Sequence, residues 1–279
     1  MAPQNDDYVF TRDLLDNSRL NLMHHHWVKD FGYLIHPSIP TQGANLKIAD
    51  IGSGTGMWLL DVGDRLHEST QLVGLDISLE AAPPREVLPS NITFQRWDVN
   101  DPVPDGLLGA FDIINVRFMV FVVRKDDVPA TVGKLLQMLK PGGYLQWVEP
   151  DNQTVHGELA KPENKKESIE ALMGLLKSQD PRLNPTWVPD LPGIFRDCGL
   201  VDVDADVHTT PPHWAYLEHE CGLVMHELIA RKTQNEHMAA ELKRLIPLAV
   251  EETKRGLTWP PPSMLLLEDD PENYLRLAR

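Results

Sequence analysis

The chain has 279 residues, 42% of them apolar and 24% charged, which is the size and composition of one large globular domain or a domain with an insertion. A disordered, collagenous or coiled-coil protein is excluded on those grounds. The 26 basic residues stand against 41 acidic ones, a net of −15, so neither nucleic acid nor an anionic membrane is an expected partner.

Residues 1–43 read as a helix and connector. Leu14, Leu15, Leu20, Leu22, Met23 and Trp27 give a loose helical pattern, and HPSIPTQG (36–43) breaks it. Residues 44–150 alternate strand and helix. Lys47–Ile51 is a strand, Met57–Leu66 a helix, Gln71–Ile77 and Asn91–Trp97 strands, and Phe111–Val116 an apolar run of the kind buried in a parallel sheet. A helix with Val128, Val132, Leu135, Leu136 and Leu139 on one face follows, KPGG (140–143) ends it, and Tyr144–Val148 is a fifth strand. This alternation implies βαβ units and a parallel sheet. Beyond 150, Ile169, Leu172, Met173 and Leu176 mark a helix, and Trp187–Cys198 a second one closed by Gly199. Val201–His208 alternates as a half-exposed strand, and 214–255 hold two long helices, the second kinked or split by Pro247. WPPP (259–262) stops them, and Met264–Leu267 is a last short strand before a charged tail.

No apolar run approaches the ~20 residues of a membrane span. MAPQNDDYVF lacks the basic start and apolar stretch of a signal peptide. Two cysteines, Cys198 and Cys221, make neither a disulfide framework nor a metal cluster, and a reducing, cytoplasmic setting is expected.

The strongest chemical signal is IADIGSGTG (48–56), a strand running into glycines and then a helix. Gly52, Gly54 and Gly56 allow a tight turn and close approach to a ligand, and Asp76 ends the next strand about 20 residues on, where doubly wound folds place a carboxylate on a ribose diol. An adenosine-type cofactor is the implied ligand. The spacing is G-x-G-x-G, with bulky Met57 at the sixth position, so it is not the dinucleotide fingerprint, and the G-K-[ST] of a P-loop is absent.

DIGSGTGMW followed by GLDIS, WDV, FDIINVR and LKPGGYL resembles the class I S-adenosylmethionine-dependent methyltransferases over about residues 46–150. YVFTRDLLDNSRLNLMHHHW and LQWVEPD resemble a branch common in filamentous fungi. That branch includes methyltransferases of secondary-metabolite clusters, a regulator of secondary metabolism and relatives recruited as pericyclases. The resemblance implies an α/β, Rossmann-like fold with a parallel-dominated seven-stranded sheet whose closing strand, SMLLL (263–267), is very short. It implies a helical lid over 1–43, a cofactor core over 44–150, and a remainder, 151–279, with a helical substrate cap at about 212–256. S-adenosyl-L-methionine is the implied cofactor. Gly52, Ser53, Gly54 and Gly56 would line its methionine portion, Asp76 would hold the ribose hydroxyls and Ile77 would pack on adenine. Asp98 would accept from the adenine amino group beside Trp97 or Val99, and Val116 and Arg117 would border the sulfonium and the substrate.

Displacement at a sulfonium releases a neutral leaving group, so alignment supplies most of the rate. A base is needed where a hydroxyl or acid must lose its proton. His24, in the lid, matches the branch's Arg-Leu-Asn-x-Gln-His pattern with Met23 in place of Gln, and is either the base or, like His25 and His26, a solvent-exposed or capping residue. His25 and His26 leave a helix about 100° apart from their neighbours, so the triple cannot converge on an ion and no metal is expected. Glu149, ending the fifth strand, either accepts a substrate proton or serves as a cap or ion-pair partner. Arg117 either orients a substrate carboxylate or balances Glu149. Trp27, Trp187, Trp214, Met225 and Met173 are either an apolar substrate wall or, the commoner use of each such residue, ordinary core, and His219 and His226 read as structural. The expected function is methyl transfer to a small natural product, at oxygen, in fungal secondary metabolism. The alternatives are a regulator that keeps the fold, or a pericyclase-type enzyme that uses the cofactor structurally.

Overall fold

Helix α1 (Leu14–Phe31) starts where the Asp13 carboxylate accepts the Leu15 and Asp16 amides, and stops at Gly32, which turns left-handed with φ +78°. The computed structural model describes residues 8–154, 158–177, 180–208, 210–258 and 263–268. The chain continues through β1 (Lys47–Ile51), α2 (Met57–Gly63), β2 (Gln71–Asp76), β3 (Ile92–Arg96), β4 (Phe111–Arg117), α3 (Val128–Met138) and β5 (Leu139–Asp151). After these come β6 (Glu158–Leu159), α4 (Glu167–Lys177), α5 (Leu191–Asp197), β7 (Asp204–His208), α6 (Pro212–Lys232), α7 (Glu236–Lys254), β8 (Leu257–Thr258) and β9 (Ser263–Glu268).

The main sheet has seven strands in the order β3-β2-β1-β4-β5-β9-β7. The members from β3 to β5 pair in parallel, and β9 enters between β5 and β7 antiparallel to both. The short last strand expected at 263–267 is β9. The WPPP stop, the first residues of the chain and the charged tail lie outside the described residues.

The central parallel strands β1, β2, β4 and β5 are buried and mainly apolar on both faces, as parallel strands covered by helices must be. Along β1, Ile48 packs with Trp27, Phe31 and Trp58 from α1 and α2, while Ala49 and Ile51 face the cluster that holds Leu135, Phe195 and Leu242 from α3, α5 and α7. A polar ladder interrupts the first face. Asn115 donates to Asp50 at 2.7 Å, Gln146 donates to Asn115 at 2.8 Å and to the Leu34 carbonyl at 2.9 Å, and all three side chains are buried. It crosses β1, β4 and β5 at paired positions and ties the connector after α1 to the sheet.

Two expectations are corrected in detail. KPGG does not separate helix from strand: β5 already pairs at Leu139 with Phe111, slips, and resumes at Tyr144 with Ile113. Gly142 at φ +80° lets the chain buckle there without leaving the sheet. Pro247 does not split α7, because Met238, Leu242, Leu245 and Ala249 bury one face on both sides of it. The two-stranded pairing of β6 with β8 had no signal in sequence.

Strand order reverses between β1 and β4, with β2 and β3 to one side and β5 to the other. Such a reversal opens a crevice beyond the carboxyl ends of these strands.

Candidate active site

The crevice is shaped first by the loop after β1. Gly52, Gly54 and Gly56 have φ of +68°, +51° and +73°, values that a side-chain-bearing residue adopts only with strain. The Gly52 amide donates to the Leu75 carbonyl at 2.8 Å, and the Gly54 amide to Asp76 Oδ2 at 2.9 Å. The other oxygen of Asp76 accepts the Ser78 amide at 3.0 Å. Loop and carboxylate are therefore one hydrogen-bonded unit. Gly56 does a different job from the one expected of it. It does not line the cleft, and a Cβ there would lie 2.4 Å from Phe94 Cζ, so it is the glycine that lets α2 start hard against β3.

The cleft has a volume of about 270 Å³. Gly52, Ser53, Gly54, Asp76, Ile77, Trp97, Asp98, Val99, Arg117 and His24 all line it. Trp97 is anchored by donating from Nε1 to the Pro102 carbonyl at 3.2 Å, and Asp98 is oriented by the Asn100 amide at 2.9 Å. Ser53 Oγ is buried there with no hydrogen-bond partner. A glycine cradle, a strand-end carboxylate and apolar plates fit an adenosyl cofactor. Val116 is the exception on β4: it is fully buried behind the sheet, because strand alternation sends its neighbour Arg117 to the cleft instead.

The roof comes from α1 and the segment before it. Leu20 lies over the loop, 3.4 Å from where a Gly54 Cβ would stand, and Thr55 donates to Asn21 at 2.7 Å. Arg12 reaches to 3.9 Å from Asp76. Tyr8 also lines the cleft, its phenol pushed up to about 12 chiefly by burial.

The two expected catalytic groups are corrected by their surroundings. His24 lines the cleft, yet neither ring nitrogen is free. Arg117 Nη1 donates to Nδ1 at 3.2 Å, so the ring proton sits on Nε2, which donates to Asp61 at 3.1 Å. Burial, then the Arg117 charge, push the imidazole down to about 4 against the pull of Asp61. A neutral ring whose lone pair is occupied is a poor base. Glu149 is fully buried and outside the cleft. It accepts the Met119 amide at 2.7 Å, the Val120 amide at 3.2 Å and the Trp147 indole at 2.5 Å, and burial pushes it up to about 8 against those donors. It is the internal acceptor that holds the 119–121 turn after β4.

The expected substrate wall is also elsewhere. Trp27 is buried between α1 and the sheet, and Trp187 packs edge-on against Trp147 with ring centroids 6.1 Å apart. Met225 joins the main core, and Trp214 takes the Lys29 ammonium over its ring at 5.0 Å. None of the four lines the cleft, nor does any other residue of 212–256. Helix α6 packs on α1, the helix that roofs the cleft. The apolar wall consists of Tyr8, Leu20, Phe118, Met119, Phe121 and Val122. The apolar run following FDIINVR was its only sequence signal.

The sequence profile described as a methyltransferase domain matches residues 48–143. The N-methyltransferase tcpN of Claviceps purpurea is 30% identical over 207 residues, 71% of this chain and 70% of that protein. The methyltransferase grgD of a Penicillium species is 34% identical over 167 residues, 56% of this chain, and the match spans only 57% of its length. A solved structure of Haemonchus contortus phosphoethanolamine N-methyltransferase 2 superposes with a TM-score of 0.50 at 15% identity, covering 91% of this chain and 58% of that one, a likeness of fold. The chain belongs to the class I S-adenosylmethionine-dependent methyltransferases. Among its described residues no helix is long and apolar enough to cross a membrane.

Proposed function

We propose that this chain transfers a methyl group from S-adenosylmethionine to a nitrogen of a small natural product in fungal secondary metabolism. The observation that carries this reading is the Gly54–Asp76 unit at the strand-order reversal, facing an apolar wall across one cleft. In this reading Asp76 receives the ribose hydroxyls, and Ile77, Trp97 and Val99 enclose the adenine. Asp98 accepts from its amino group, while Gly52, Ser53 and Gly54 follow the methionine portion. Bound there, the cofactor supplies an electrophilic methyl on a sulfonium. The residues of α1 exclude water above it. Residues 1–43 act as the lid, 44–150 as the cofactor core, and 151–279 complete the sheet and brace the lid.

Nitrogen replaces the oxygen expected from sequence for two reasons. The Claviceps relative is named an N-methyltransferase. An amine also attacks through its own lone pair, whereas a hydroxyl needs proton removal, and His24, the expected base, has both nitrogens engaged. The acidic balance of the chain supports a small molecule rather than nucleic acid, and its two cysteines support a cytoplasmic setting. The test is calorimetry with S-adenosylmethionine, followed by incubation with methyl-labelled cofactor and fungal metabolite extracts. Label should appear in a small molecule, on nitrogen by mass spectrometry. A chain that does not bind the cofactor overturns the reading. Label on oxygen overturns the choice of acceptor atom.

A further inference from the structure

The arginines that line the cleft differ in what answers them. Arg19 meets Asp16 at 2.6 Å, Arg182 meets Asp180 at 2.7 Å, and Arg12 stands 3.9 Å from Asp76. Arg117 has no carboxylate within ion-pair distance among the described residues. Its Nη1 donates to a neutral His24, and its Nε is buried with no acceptor. Asp50 on the adjacent strand and Asp61, on the far side of His24, attract the charge from beyond ion-pair distance, and Asp50 Oδ1 is taken by Asn115. Glu149, the other partner considered for Arg117, is committed to Met119, Val120 and Trp147. A half-buried guanidinium with no carboxylate in direct contact is costly, and its planar array of N–H donors suits a carboxylate.

The guanidinium is also held still. The Trp27 ring lies 5.0 Å from it and the Phe118 ring 5.9 Å, while His24 grips Nη1 and is itself fixed by Asp61. The chain leaving Arg117 turns at Phe118, with φ +58°, and runs directly into Met119, Phe121 and Val122 of the apolar wall. An apolar surface that ends at a pre-oriented guanidinium whose Nη2 has no partner among the described residues is built for an amphipathic anion.

We infer that Arg117 receives a carboxylate borne by the methyl acceptor, so that the substrate class is apolar or aromatic molecules carrying an acid group. His24 is the positioning residue for that guanidinium. The inference rests on the methyltransferase reading above. The acceptor is favoured over the cofactor's own carboxylate because the chain runs from Arg117 straight into the apolar wall; the glycine loop starts on the neighbouring strand, where Ile51 pairs with Val116, so the S-adenosylhomocysteine affinity of an Arg117 variant tells the two carboxylates apart.

The test titrates the full chain with indole-3-acetate and with uncharged indole-3-acetamide by saturation-transfer NMR, with and without S-adenosylhomocysteine. The acetate should bind at least ~10-fold tighter than the amide. Arg117→Met should abolish that preference, leave the amide unchanged, and alter S-adenosylhomocysteine affinity less than ~3-fold. Arg117→Lys, useful if the first variant does not fold, should keep the sign of the preference but shrink it several-fold, because an ammonium cannot match the fork. His24→Gln should weaken the acetate alone. No preference in the wild-type chain, a preference unchanged in either Arg117 variant, or a matching loss of S-adenosylhomocysteine affinity would overturn the receptor. Equal weakening of both probes by His24→Gln would overturn the positioning role. A wild-type chain that binds indole-3-acetate selectively but not S-adenosylhomocysteine would fail the parent reading while supporting the receptor.

Discussion

The Gly54 amide donates to Asp76 Oδ2 at 2.9 Å, which makes the shape of the glycine loop depend on the carboxylate that faces the cleft. The loop belongs to β1 and the carboxylate to β2, so this one bond spans two strand ends. A change at either residue should be felt in ligand binding and in loop stability together, and the two can be separated by choice of variant.

Asp76→Ala removes the carboxylate proposed to receive the ribose hydroxyls and strips the Gly54 and Ser78 amides of their acceptors. Loss of two charge-assisted bonds predicts cofactor affinity at least ~30-fold weaker by calorimetry. The melting temperature should fall by about 2–4 °C, the equivalent of roughly 1 kcal/mol. Asp76→Asn keeps one acceptor oxygen and should lie between. Unchanged affinity in the alanine variant would remove this carboxylate from the cofactor site.

Gly54 and Gly56 should respond differently to the same alanine. At Gly56 a Cβ meets Phe94 at 2.4 Å on top of left-handed strain, so Gly56→Ala should destabilise by about 2 kcal/mol or more. At Gly54 the nearest neighbour of a Cβ is Leu20 at 3.4 Å, an ordinary contact, so stability should fall only by the backbone strain of about 1 kcal/mol. Cofactor binding should be lost preferentially in Gly54→Ala. Thermal melts paired with calorimetry decide it, and equal melting losses would contradict the assignment.

His24 gives a pH signature. Its folded value is pushed down to about 4 from an ordinary 6.5, so between those pH values the unfolded chain binds a proton that the folded chain does not. Stability therefore falls as pH drops from about 6.5 to about 4. Denaturant titrations of wild type and His24→Gln should differ in slope over that window, by on the order of 1–2 kcal/mol in total. Turnover of the variant should not recover at high pH, as it would if a general base had been lost.

Glu149→Ala leaves the Met119 and Val120 amides and the Trp147 indole without their acceptor in a buried site. Orphaned buried donors predict a stability loss of about 3 kcal/mol, read by urea unfolding. The 119–121 turn should loosen with it, weakening acceptor binding more than cofactor binding. A stable variant with normal affinities but no turnover would return Glu149 to a catalytic role.

Much of the cofactor side was legible in the sequence because its demands are local. The glycines of 52–56 need positive φ, and Asp76 ends its own strand, so a few adjacent residues state the requirement. Apolar periodicity likewise marked β1, β2, β4 and α3 to within a residue or so. The acceptor side was decided by tertiary structure. Trp27, Trp187, Trp214 and Met225 have the right chemistry for a pocket wall, but apolar surface is non-directional and buries wherever helices close, which here is the core and the α1–α6 contact. The polar ladder joins Asp50 to Asn115, 65 positions away, and Asn115 to Gln146, 31 positions away, distances over which no periodicity operates. His24 carried the sequence of a base, and only the approach of Arg117 from β4, 93 positions on, occupied its lone pair and turned it into a strut. A side chain's type is written in the sequence, but its protonation and its free valence are set by whichever distant neighbour the fold brings against it.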